Sequence, residues 1–157
     1  MKLHESVPTQ YYDSIAQAAE TWNKAFGKTL ILVDTNDIQK GPVQAFKDTQ
    51  NVIYFYNDWE ADKPTEQART SVYWIGDEIK EADIRVNAKN FQYYGLTMQD
   101  KGPSKINIEA LLIHEMGHVL GLKHKDSDQS VMATYLASQV DRINIAATDK
   151  KSLMCEY

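Results

Sequence analysis

His114 and His118 stand four residues apart, and His124 follows six residues later with Gly121 between them, in the run HEMGHVLGLKH. Residues four apart on an α-helix lie one above the other on the same face, so the first two imidazoles can aim at a single point. The next turn of that helix cannot offer a third nitrogen at a good tetrahedral angle, so the chain has to turn back. Gly121, just past the helical run, supplies the left-handed conformation that ends helices, and three further residues bring His124 round to the same point. Three neutral imidazoles with a fourth position left open describe a catalytic zinc, because a structural zinc is normally closed by four protein ligands. Glu115 follows the first ligand and lies beside the metal without having to bind it, placed to take a proton from a water that the metal activates. A bare HExxH arises by chance in many chains. Here three of the 4 histidines fall in one window that also holds the glycine, and this separates the pattern from coincidence.

The full pattern HExxHxxGxxH resembles the zinc signature of the metzincin metallopeptidases, which also requires a methionine turn downstream. Ser130-Val131-Met132 fits that turn, and HEMGHVLGLKH followed by KDSDQSVM is most similar to the matrixin branch, its bacterial members in particular. Two positions depart from the animal matrixins. Lys125 stands after the third histidine in place of serine, and Ala133-Thr134-Tyr135 follow Met132 without the usual proline. The resemblance implies a zinc-dependent endopeptidase acting on peptide or protein substrates. One catalytic zinc would sit on His114, His118 and His124, with Glu115 as the base and Met132 as an apolar floor that does not bind the metal. It also implies a substrate pocket for the side chain just after the scissile bond. The position four before the first histidine lines that pocket; here it is Ala110, whose small side chain implies a deep apolar pocket with Tyr135 or Leu136 on the far wall. Arg69 and Thr70 are further pocket candidates, on the strand that receives substrate in this family. The alternative is a catalytically silent copy of the fold used as a binding or regulatory module. An intact Glu115 argues against it, since a silent copy has no need of the base.

The 157 residues, 43% hydrophobic and 25% charged, suit one catalytic domain spanning 1–157 and leave no room for a second. A net charge of -5, a pI near 5.3 and the lack of any lysine or arginine run argue against nucleic acid or an anionic membrane as partner. Nothing approaches the roughly eighteen consecutive apolar residues of a membrane span. A monomer is expected. The start MKLHESVPTQ has no apolar signal-peptide core, so the chain is either intracellular or the mature or trimmed form of a secreted protein; we take the secreted form. Cys155 is the single cysteine, which excludes an internal disulfide, and the latency cysteine of animal matrixin propeptides has no counterpart upstream of the site.

The elements that must position the site can be placed by periodicity. Residues 9–26 carry Ile15, Ala18, Ala19, Trp22, Ala25 and Phe26 at helical spacing, with Gly27 past the end and Ser14–Gln17 as a possible capping box. Short apolar runs at 30–33 and 51–56 read as strands, with 37–42 as a polar connection. After a polar loop at 57–66, residues 68–75 and 81–88 pair as a hairpin around Gly76. The resemblance puts 68–75 at the edge of the sheet above the zinc helix. Residues 90–105 read as loop. With no histidine between His4 and His114, a second zinc of the animal type is not expected; calcium is left open, with Asp83, Asp126 and Asp128 read as solvated carboxylates. The zinc helix is expected to start after Asn107 as N-cap, with Glu109 in its first turn and Ile108, Leu111, Leu112, Val119 and Leu120 buried. Gly117 inside a helix costs about 1 kcal/mol against alanine, which points to close packing, plausibly against the methionine turn. A last helix over 149–155 is expected to be capped by Thr148. The fold class implied is α+β: a metzincin fold with a twisted mixed sheet, one antiparallel edge strand, the zinc helix, the methionine turn and a C-terminal helix.

Overall fold

In the computed structural model, residues 1–44, 47–98, 101–126 and 129–156 are described. The first long helix, α1 (Tyr12–Phe26), buries Ile15, Ala18, Ala19 and Trp22 along one stripe and stops where Gly27 takes φ +82°. A 3-10 turn, Thr9–Tyr11, leads into it. Ser14 is therefore inside the helix and not its cap. Its buried hydroxyl accepts a hydrogen bond from Leu96 N–H at 2.9 Å and ties α1 to the loop before the zinc helix.

Five strands form one sheet: β1 (Lys2–His4), β2 (Asp34–Gln39), β3 (Val52–Tyr56), β4 (Ala68–Ile75) and β5 (Glu78–Asn87), in the order β2-β1-β3-β5-β4. All neighbours are parallel except β4, which runs antiparallel to β5 along the edge. The mixed sheet with an antiparallel edge strand is the one expected. Two details differ. β1 is too short to carry a pattern, and β2 lies at 34–39, not 30–33. The reason is Asn23 at the end of α1, whose side-chain oxygen accepts from Leu30 N–H and Ile31 N–H while its amide donates to Ile31 C=O, taking the groups a strand would need.

Alternation along β3 and β5 sends Ile53, Phe55, Ile84 and Val86 to the face covered by the helices. Glu81, Asp83, Arg85 and Asn87 take the other face. Asp83 is buried there, contrary to the solvated reading: it accepts from Val52 N–H at 2.9 Å, and burial pushes its carboxyl up to about 7, with Glu81 adding to the rise. Asp126 is exposed as expected, and Asp128 lies outside the described residues. Within 90–105 the chain is not all loop. β6 (Tyr93–Tyr94) pairs in parallel with β7 (Ile106–Asn107), which runs straight into the second helix.

That helix, α2 (Ile108–Val119), starts on Asn107 as expected: the Asn107 side-chain oxygen accepts from Glu109 N–H at 3.0 Å and Ala110 N–H at 3.3 Å. It packs against α1, β4 and β5. The contact with α1 includes a buried hydrogen bond from the Trp22 indole N–H to Ile113 C=O at 2.8 Å. The last helix, α3 (Ala147–Glu156), is not capped by Thr148. Asp149 in its first turn accepts from Ala146 N–H at 3.2 Å, the return half of a capping box.

Candidate active site

α2 presents His114 and His118 one turn apart, and the chain reverses just beyond it. Gly121 adopts φ +88°, Gly121 N–H reaches His118 C=O at 3.0 Å and Leu122 N–H reaches Gly117 C=O at 2.9 Å. This closing turn carries His124 back. The three Nε2 atoms stand 3.2, 3.2 and 3.1 Å from one another. Nitrogens bound tetrahedrally to zinc at its usual bond length are about 3.3 Å apart, so the donor set fits that ion. The outward nitrogens fix the tautomers. His114 Nδ1–H donates to Val131 C=O at 2.8 Å and His118 Nδ1–H donates to Leu122 C=O at 2.7 Å, which leaves both Nε2 lone pairs facing the common point. Burial pushes His114 down to about 4 and lowers His118 as well, so both are neutral at pH 7, as ligands must be.

Glu115 is buried beside this triad, and burial pushes its carboxyl up to about 7. Thr70 on β4 donates its hydroxyl to Glu115 Oε2 at 2.6 Å. Thr70 thus holds the candidate base from across the cleft. Arg69, its neighbour, pairs with Glu60 and Glu66 and, like Thr70, lines one of the hollows beside Glu115.

Below the triad Met132 is buried against α2. A Cβ on Gly117 would stand 2.2 Å from Met132 Sδ and 3.2 Å from Trp22 Cζ2, so the glycine makes room for the methionine. The turn itself hangs on Asp149 of α3, which the sequence reading did not single out. Ser130 Oγ–H donates to Asp149 Oδ1 at 2.5 Å, Val131 N–H donates to Oδ2 at 3.0 Å, and Met132 N–H donates to Ser130 Oγ at 3.0 Å. One acidic residue in a first helical turn looks in sequence like ordinary dipole compensation, so no signal marked it. Lys125 meets the turn through its backbone, Lys125 N–H to Met132 C=O at 2.9 Å, with its side chain exposed, so the departure from serine leaves this contact intact.

Two hollows flank Glu115. One, of about 320 Å³, lies between residues 65–68 and the segment after Met132, with Leu111 and Leu136 among its walls. The other, of about 420 Å³, lies between Ala68, Thr70, Val72 and Trp74 of β4 and the chain from Gly121 to His124. Leu136 lines the first hollow as expected, and its C=O accepts from the Gln67 side chain at 2.8 Å. Tyr135 does not line it and is 68% exposed. Ala110 is not on its wall either: it is buried in the core, and Leu111 takes the place expected of it. Helical rotation explains the shift. At about 100° per residue, positions 114, 115 and 118 centre on the direction of 111, whereas 110 points roughly a quarter-turn away. Trp74 stands at the far end of the second hollow, its ring 3.6 Å from where a Gly121 Cβ would be.

Compared with known protein families, residues 4–157 match the one described as Matrixin. None of the curated proteins matches the chain.

Proposed function

The chain belongs to the matrixin family of zinc-dependent metalloproteases, and from that premise we propose that it is an endopeptidase working through His114, His118, His124 and Glu115. The observation that carries this reading is the convergence of three Nε2 atoms to within 3.2 Å beside a buried carboxylate that faces both hollows. His114, His118 and His124 would hold a zinc ion, which when bound would supply a Lewis acid for the scissile carbonyl and the attacking water.

The rest falls to the chain's own groups. Glu115 takes a proton during attack and returns it to the leaving amine; a carboxyl near 7 suits both halves of that task. Thr70 occupies Oε2 of Glu115 and so leaves Oε1 to face the water. Substrate backbone adds along the free edge of β4, whose N–H and C=O groups are not all taken by β5. The side chain after the scissile bond enters the 320 Å³ hollow between Leu111 and Leu136. Met132 fills the space under the histidines and keeps it apolar. The whole of 1–157 acts as one catalytic unit, as a monomer. Matrixins are usually extracellular, and we place this one there; among the described residues no helix is long and apolar enough to cross a membrane.

The test is a Glu115→Gln variant measured for zinc by elemental analysis and for hydrolysis of a diverse peptide library. Zinc should stay near one per chain while kcat falls by about 10³-fold or more. Undiminished cleavage would overturn the mechanism.

A further inference from the structure

Residues 57–67 join β3 to β4 and wall the hollow that, on the reading above, receives the residue after the cleaved bond. Little in the loop's own structure holds it. Trp59 is buried at 1% exposure, while residues 57–58 and 61–65 are exposed. Inside it two backbone hydrogen bonds form, Lys63 N–H to Glu60 C=O at 3.1 Å and Glu66 N–H to Lys63 C=O at 3.3 Å. Its end is tied to the sheet, because the Asn87 side chain donates to Glu66 C=O at 2.7 Å and Asn87 N–H donates to Gln67 C=O at 2.9 Å. The stretch before that end depends on side chains: Lys89 Nζ donates to Trp59 C=O at 3.0 Å, and the remaining ties run through the Glu60, Glu66 and Trp59 side chains.

Arg69 gathers them. Its Nε–H donates to Glu66 Oε1 at 3.0 Å, its Nη2 group meets Glu66 Oε2, its Nη1 group meets Glu60 Oε1 at 2.8 Å, and its guanidinium lies 5.5 Å from the Trp59 ring centroid. Arg85, opposite Arg69 in the β4–β5 register, reaches Glu60 only at 3.9 Å. Two carboxylates are therefore shared by two guanidiniums, and Arg69 alone forks onto Glu66. Exposed ion pairs of this kind contribute little to stability. Their placement matters more here, because Glu66 lines both hollows at their junction over Glu115, where a scissile peptide has to lie.

We propose that Arg69 is a positioning residue of the cleft: it pins loop 57–67 to the sheet and holds the Glu66 carboxylate out of the substrate's path. Lysine cannot take its place, since a single ammonium does not match two carboxylates and an aromatic face at once. Removing the charge from Glu66 removes the need for the restraint, so a second substitution should repair the first.

The experiment compares Arg69→Gln, Arg69→Lys, Arg85→Gln and the double variant Arg69→Gln/Glu66→Gln with the parent. Zinc content is measured, together with kcat and KM on two peptides that differ only in leucine or alanine after the cleaved bond. Arg69→Gln should raise KM for the leucine peptide about tenfold with kcat within about twofold and zinc unchanged. Arg69→Lys should recover little of this, Arg85→Gln should show little of it, and the double variant should recover most of it. An unchanged KM in Arg69→Gln, or a double variant no better than the single one, overturns the proposal. Hydrogen exchange judges it without activity. The Lys63 and Glu66 amides, the two hydrogen-bonded within the loop, should exchange about tenfold faster in Arg69→Gln while those of α2 stay as they were, and equal exchange at both overturns the proposal even if the parent cleaves nothing. A parent that cleaves no peptide defeats the endopeptidase reading alone.

Discussion

The floor and the roof of the cleft are built on different physics. Below, most of the candidate metal site rests on buried groups, with His124 alone of the three histidines exposed: Met132 packs against Gly117 and Trp22, Val131 lies between Asp149 and His114, and His118 meets the Leu122 carbonyl. Above, β4 is an edge strand and its approach loop hangs on ion pairs that water reaches, Arg69 being 23% exposed and Glu66 31%. Close-packed groups resist displacement by tenths of an ångström, whereas exposed pairs give way to salt and to competing hydrogen bonds. A site that must hold three nitrogens about 3 Å apart needs the first kind of support. A rim that must admit side chains of different shapes can use the second.

The largest effect should come from the ligands themselves. His124→Ala is expected to lose zinc and all measurable hydrolysis, because two histidines retain the metal far more weakly than three; elemental analysis after dialysis against a weak chelator reads the loss. Next comes the support under the turn. Asp149→Ala strands the Ser130 hydroxyl, Val131 N–H and Ala146 N–H, and denaturant unfolding should show a loss of about 2–4 kcal/mol. It should also weaken zinc retention, since Val131 C=O orients His114. Full zinc affinity in that variant would mean that floor and ligands are not coupled as described. Gly117→Ala gains about 1 kcal/mol of helix propensity but forces Met132 sulfur away from a carbon that would stand 2.2 Å from it. Overpacking should win by about 1–2 kcal/mol net, again read by unfolding.

An effect of similar size belongs to the roof and depends on pH. Asp83, on the far face of β5, has a carboxyl raised to about 7 from an ordinary value of 3.8. Between those values the folded chain binds more protons than the unfolded one, so this group makes stability fall as pH rises from about 4 to about 7. Asp83→Asn keeps an oxygen for Val52 N–H and removes the titration. Relative to the parent it should gain about 1–3 kcal/mol between pH 4 and pH 8 in unfolding measured at the two ends. A gain of the same size at both pH values would assign the effect to packing and not to charge.

Much of the floor was legible in advance, because its demands are local. His114 and His118 follow from the helical repeat, Gly121 from the need for a left-handed turn, Asn107 from cap chemistry, and Gly117 announced a close neighbour that proved to be Met132. β4 was legible to its end residues because ARTSVYWI is rich in β-branched and aromatic residues and is closed by Gly76. What escaped was set by distant partners. Nothing near 30–33 shows that Asn23 will claim the backbone there, and β2, exposed over much of its length, has no alternation to read. Asp149 and Asp83 look like any surface acid until Ser130 or Val52 is brought to them from far along the chain. The pocket wall slipped by one residue, Leu111 for Ala110, because sharing a face with His114 is not the same as facing the cleft.

Of the three tryptophans, Trp22 is 0% exposed, Trp59 is 1% and Trp74 is 49%. The two buried indoles are shielded from a dissolved quencher such as acrylamide, so quenchable emission comes from the ring at the end of the second hollow. On the proposed function, the protein therefore carries its own optical probe of the half of the cleft before the scissile bond. In the Glu115→Gln variant, which should hold peptides without cutting them, a ligand long enough to reach that ring should shift its emission to shorter wavelength and lower its quenching constant, and one truncated before it should do neither.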